Sequence, residues 1–198
     1  AGALVHPGDV VLADDDGAVL WRQWKQQVNF PLNHWQNNAC MIPVNPDHDN
    51  HIDVMSFTHS YEINYRYWNG VELVNHAGWP KSFYPYLPTP PVMGDVDGDG
   101  QEEIIIGTYN PAASPSDGAL YVYALDGTLK YSVPVPGGLK HIPTIANVFG
   151  NGLDVVYRSL AGRIYIQNFG STRNDPVSWS THRGNKQRDG NLGVSLLP

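Results

Sequence analysis

A chain of 198 residues is long enough to bury a sizeable core, and its 20 Gly, 16 Pro and 11% aromatic residues against 16% charged ones favour many short strands joined by turns. The formal charge of −7 at pH 7 argues against a nucleic-acid partner, which needs clustered Lys and Arg. No apolar run approaches the roughly 18 residues of a bilayer span, and the single cysteine, Cys40, excludes an internal disulfide.

The first residues, Ala1-Gly2-Ala3-Leu4-Val5-His6, lack the basic flank and apolar stretch of a signal peptide, so the expectation is a mature or excised chain. Beyond them a repeat is visible. Asp9-Val10-Val11-Leu12, Asp53-Val54-Met55-Ser56, Glu103-Ile104-Ile105-Ile106 and Asp154-Val155-Val156-Tyr157 each place an acid directly before a β-rich tetrapeptide, at spacings of 44, 50 and 51 residues. A second strand is predicted to start eight residues after three of these acids, at Gly17, Tyr61 and Gly162, and fifteen after Glu103, at Gly118. The extra residues, 110–117, read as a surface insertion.

Upstream of the acids, residues 40–44, 91–96 and 142–148 supply an earlier strand in three units. Cys40 leads directly into the first of these and reads as a small buried hydrophobe. Asp126-Gly127 and Asn69-Gly70 signal tight turns before a fourth strand such as 129–133. Four short strands in each unit of 40 to 50 residues is the pattern of propeller blades, small antiparallel sheets that must stack to bury their faces. The predicted fold class is therefore all-β, with about four blades of four-stranded antiparallel sheets at 1–39, 40–89, 90–141 and 142–175 and a closing tail at 176–198. Four blades would be an unusually small propeller or part of a larger one, so further blades, a partner chain or the tail must cover the open edges.

The sharpest chemical signal is Gly94-Asp95-Val96-Asp97-Gly98-Asp99-Gly100-Gln101-Glu102-Glu103-Ile104-Ile105-Ile106-Gly107. Carboxylates at 95, 97, 99 and 103 can curl around one hard cation, because Ca²⁺ takes six to eight oxygens in irregular geometry. An EF-hand would need a bidentate acid at loop position twelve, where this chain has Ile106, and a helix where it has a β-branched run. The segment therefore reads as a cation loop feeding a strand.

This pattern resembles the FG-GAP/VCBS repeat of integrin-like β-propellers, and the chain from Asp9 to Phe169 can be read in that register. Gly78-Trp79-Pro80 and the tail from Trp179 to Gly190 resemble segments of propeller regions in large secreted bacterial proteins. The resemblance implies a secreted protein with calcium held between the first two strands of a blade, through the side chains of Asp95, Asp97, Asp99 and Glu103 and the backbone carbonyl of Gln101. Shifting the register by 50 residues implies a second site at Asn45, Asp47, Asp49 and Asp53, with His51 at the carbonyl position. That copy has Asn for Asp at its first position and Asn50 for the usual Gly. The unit of Asn147, Asn151 and Asp154 has a shorter loop and one carboxylate, so its site is expected to be lost. Asp14-Asp15-Asp16-Gly17 falls where other units have hairpin turns and reads as a turn.

No zinc, nucleophile-elbow, phosphate-loop or dinucleotide motif occurs. A dispersed lyase-type site could draw on Tyr61, Tyr65, His59, His141 and Arg158, residues that equally serve strand faces and packing. Trp21, Trp24, Trp35, Trp68, Trp79 and the run 83–88 offer stacking platforms for sugars or anchors for a protein partner, although blade packing also consumes aromatics. The leading expectation is a noncatalytic, calcium-stabilised propeller module for extracellular recognition: glycan binding, adhesion or assembly. The alternatives are the propeller portion of a secreted polysaccharide lyase or hydrolase, and a structural piece that completes a propeller with a partner chain.

Overall fold

The computed structural model describes residues 10–13, 19–23, 40–44, 53–58, 61–69, 73–172, 177 and 180. The chain divides into two compact units, residues 1–37 and 38–198. Every regular element among the described residues is a β-strand, and every pairing is antiparallel. No helix among them is long and apolar enough to cross a membrane.

In the first unit, β1 (Val10–Ala13) pairs with β2 (Val19–Gln23). The second unit contains three sheets. The first runs β3 (Cys40–Val44), β4 (Asp53–Thr58), β5 (Glu62–Trp68) and β6 (Leu73–Asn75), with β7 (Lys81–Ser82) also pairing with β5. The second combines β8 (Leu87–Pro88), β9 (Val92–Gly94), β10 (Glu103–Tyr109), β11 (Ala119–Tyr123) and β12 (Leu129–Pro134). The third is β13 (Thr144–Ala146), β14 (Asp154–Arg158) and β15 (Ile164–Asn168). Each acid of the sequence repeat at 53, 103 and 154 therefore opens the strand that lies second in its unit.

The middle sheet is covered on both faces, which is why β10 is buried at every position instead of alternating. Cross-strand pairing sets Ile104 beside Tyr123 and Ile106 beside Tyr121 on one face, while Ile105 lies between Val122 and Val92 on the other. Towards the first sheet, Trp79 packs edge-on against Tyr65 and Tyr123, with ring centroids 6.0 and 5.9 Å apart, and Phe83 lies against Tyr121 at 5.6 Å. Towards the third, Tyr131 and Phe169 meet at 4.9 Å, and Gly94 leaves space filled by Ile145 and Val177. A single apolar cluster joins all three sheets through Met55, Ile63, Val92, Ile104, Ile105, Leu120, Ile145 and Val155. Burial of each such side chain contributes about 1.5–3 kcal/mol relative to leaving it in water.

The insertion at 110–117 is closed at its base by the Asn110 N–H donating to the Asp117 carbonyl at 2.9 Å, and most of its residues are exposed. The run 83–88 divides between the two roles open to it, packing and exposure. Phe83 is buried, Leu87 and Pro88 form β8 on the edge of β10, and Tyr84 and Pro85 stand out, Tyr84 at 76% exposure. Pro88 lies opposite Thr108 on this edge strand, a place where a residue without an N–H is tolerated.

Candidate metal centre

The cation loop spans the turn from β9 to β10 and is shaped by its own carboxylates. Asp95 accepts the N–H groups of Gly98 at 2.7 Å and Gly100 at 3.0 Å, Asp97 that of Asp99 at 3.3 Å, and Asp99 that of Gln101 at 2.8 Å. Gly98 and Gly100 sit at φ +79° and +93°, backbone that an L side chain rarely adopts. Glu103, fully buried at the start of β10, reaches back to accept the N–H of Val96 at 3.0 Å. The neighbouring sheet braces the loop, since the Ser171 N–H donates to the Val96 carbonyl at 3.1 Å.

One oxygen from each of Asp95, Asp97 and Asp99 lies within 4.8 Å of the others, so this cluster can hold a metal ion. The spread is no larger than that of two ligands on opposite sides of one Ca²⁺ at 2.3–2.6 Å. All of these donors are hard carboxylate oxygens, which suit calcium or magnesium and not a soft metal. Glu103 lies outside that triad, and Gln101 is exposed at the loop's end with its N–H on Asp99.

The structure adds a residue that the motif did not reveal. Lys130, from β12, places its ammonium 2.7 Å from Asp97 Oδ2, 2.7 Å from Asp99 Oδ2 and 2.8 Å from Glu103 Oε1. Its hydrogen bond and that of the Gln101 N–H hold Asp99 below the usual carboxylate range. Burial pushes the Glu103 carboxyl up to about 7, against the pull of Lys130, and the charge of Asp97 adds to the rise. Partial burial lowers the Lys130 ammonium, but its bonds to Asp97, Asp99 and Glu103 outweigh that and its pKa is raised. Lys130 is the only Lys or Arg between residues 82 and 139, so charge balance was the one available signal.

Of the second expected site, Asn45, Asp47, Asp49 and His51 lie outside the described residues. Asp53 is buried, accepts the Tyr65 hydroxyl on Oδ2 and faces His76 Nε2 at 3.2 Å, with the His76 ring stacked on Tyr65 at 3.9 Å. The third sheet repeats the fixture with Asn147 in place of the first aspartate: Gly150 N–H donates to Asn147 at 2.6 Å, as Gly98 does to Asp95, and Asp154 accepts the Val148 N–H at 3.1 Å. Asn168 supplies an amide to Asp154 where Glu103 receives an ammonium. Among the described residues, Asp95, Asp97 and Asp99 form the one group with metal-ligand spacing.

Asp14, Asp15, Asp16, Trp24, Trp35, His59 and the tail from 181 lie outside the described residues. Tyr65 is consumed by its bond to Asp53, while His141 and Arg158 are exposed on separate segments. Trp79, for which the sequence leaves stacking platform and blade packing both open, is buried and donates its indole N–H to the Leu125 carbonyl at 2.9 Å, so it joins sheets. No family model, curated protein or solved structure matches the chain.

Proposed function

We propose that the Asp95 loop binds calcium and that the chain is a noncatalytic, calcium-stabilised β-propeller module of a secreted protein, used for extracellular recognition of a glycan or protein. The observation that carries this reading is the Asp95–Asp97–Asp99 cluster, set at the turn between two strands of a sheet buried on both faces. A cation there would be held by the three aspartates, with Glu103 and the Gln101 carbonyl as further oxygen donors, and would neutralise clustered charge at the rim of the sheet. The same hydrogen-bonded turn recurs in the next sheet with Asn147 in place of Asp95 and one carboxylate, Asp154, in all, so the role of calcium is to stiffen one blade rather than to catalyse. Recognition then falls to exposed groups such as Tyr84, whose ring meets Tyr61 edge-on at 5.2 Å.

Calorimetric titration with Ca²⁺ and a glycan array test the two halves. Saturable calcium binding and retention of uncleaved glycans support the reading. Absence of any heat of binding removes the calcium role, and product formation by the chain alone removes the noncatalytic one.

A further inference from the structure

We infer that Lys130 is a built-in counter-ion of the Asp95 loop, which closes the loop in metal-free protein and must be displaced for a divalent cation to bind. This inference rests on the reading of the loop as a cation site. An ammonium has three N–H donors, and Lys130 directs its charge at three separate carboxylates at 2.7, 2.7 and 2.8 Å. It reaches them from β12, the far strand of the same sheet, so the contact ties the loop to an element 27 or more residues away in sequence.

Two of its three partners, Asp97 and Asp99, belong to the metal-competent triad. A calcium ion and an ammonium that share a carboxylate lie within about 5 Å of one another, where like charges repel. The two are therefore competitors for one set of oxygens. Lys130 can yield, because its side chain is 22% exposed and its flexible stem offers a route to water, whereas Glu103 is fixed by burial and by Val96. Competition makes the loop a weaker calcium site than its acid count implies, and makes the fold less dependent on calcium.

The test compares the full chain with Lys130→Met, which keeps the stem and removes the charge, and Lys130→Arg, which keeps the charge. Calcium affinity is read by titration against a chelator of known affinity. Lys130→Met should bind Ca²⁺ more tightly by roughly 5- to 150-fold, the ordinary range of coupling between linked ligands, while Lys130→Arg stays near the parent. Lys130→Met can be purified in calcium if it fails to fold without it. On the unaltered chain, saturating Ca²⁺ should raise the rate at which an amine-acylating reagent labels Lys130, with Lys140 as an exposed reference. Calcium binding by the parent with no tighter binding by Lys130→Met, or with Lys130 labelling unchanged, overturns the inference and leaves the cation site standing. No binding by parent or variant overturns both.

Discussion

The backbone N–H of Val96 donates to Glu103 Oε2 at 3.0 Å across the Asp95 loop, and one sheet further on Val148 donates to Asp154 Oδ2 at 3.1 Å across a loop one residue shorter. In these two units the acid that opens the second strand is thus a clasp for the turn before it, with or without a metal cluster between. This separates two roles that the motif runs together, turn closure by the last acid and cation holding by the first three.

The clasp can be tested where no metal cluster complicates it. Asp154→Ala removes the acceptor of the Val148 N–H and one of the three acceptors of the Asn168 amide, which keeps the Leu153 and Ser171 carbonyls. Val148 and Asn168 are both exposed, so water can replace the lost partner and the cost is that of ordinary hydrogen bonds, about 0.5–1.5 kcal/mol each. The melting temperature followed by circular dichroism should fall by roughly 2–4 °C for each of those kcal/mol in a chain of this size. The loss should be the same with or without calcium. An unchanged melting temperature would show that the clasp carries no stability.

Trp79 makes a second test, this time of how neighbouring sheets hold together. It is 7% exposed, lies between Tyr65 and Tyr123 and donates to the Leu125 carbonyl. Trp79→Ala should lower stability by about 3–5 kcal/mol, as expected of a large aromatic removed from a core. Trp79→Phe should cost less, because it keeps the ring contacts and loses the indole bond. Equal losses in urea melts of the two variants would mean that the hydrogen bond, and not the packing, matters there.

Much of the strand pattern was legible in the sequence because it is local. An acid followed by β-branched residues marks β4, β10 and β14, and offsets of eight or fifteen residues locate β5, β11 and β15 to within a residue or two of their starts. The loop glycines and aspartates were equally legible, since backbone at positive φ and carboxylate turns depend on a few adjacent residues. Lys130 and Trp79 were not. Their partners lie 27 to 46 residues away, and nothing in the alternation of β12 or in the Gly78-Trp79-Pro80 motif says which distant group each will meet. Phe83 stays between platform and packing in the sequence for the same reason: nothing local says that its ring meets Tyr121 of β11.

Tyr123 predicts a pH dependence that needs no cation. Burial, reinforced by Tyr121, raises its hydroxyl from the ordinary 10 to about 12. The folded chain then keeps a proton that the unfolded chain releases, so stability is fully present below pH 10 and declines as pH rises towards 12. The loss through that window is at most about 2–3 kcal/mol. Urea unfolding at pH 9 and pH 11 should show the decline, and Tyr123→Phe should flatten it. Equal slopes in parent and variant would place the titration elsewhere.

Calcium itself should act on stability through the three aspartates together. A ligand that binds only the folded chain adds about 2.7 kcal/mol at a hundred times its dissociation constant. For a chain of this size that is a rise in melting temperature of roughly 5–10 °C. Chelation should remove the rise while leaving a folded protein, because Lys130 still bridges Asp97, Asp99 and Glu103 and offsets one of their charges. Asp97→Asn takes one charge from both the ammonium and the cation, keeps a side-chain oxygen for the Asp99 N–H, and should abolish most of the calcium response. Magnesium, which dehydrates reluctantly, should give a smaller shift at equal concentration. A melting temperature indifferent to calcium in the parent chain, measured by scanning fluorimetry from micromolar to millimolar Ca²⁺, would mean that Lys130 alone is the loop's cation.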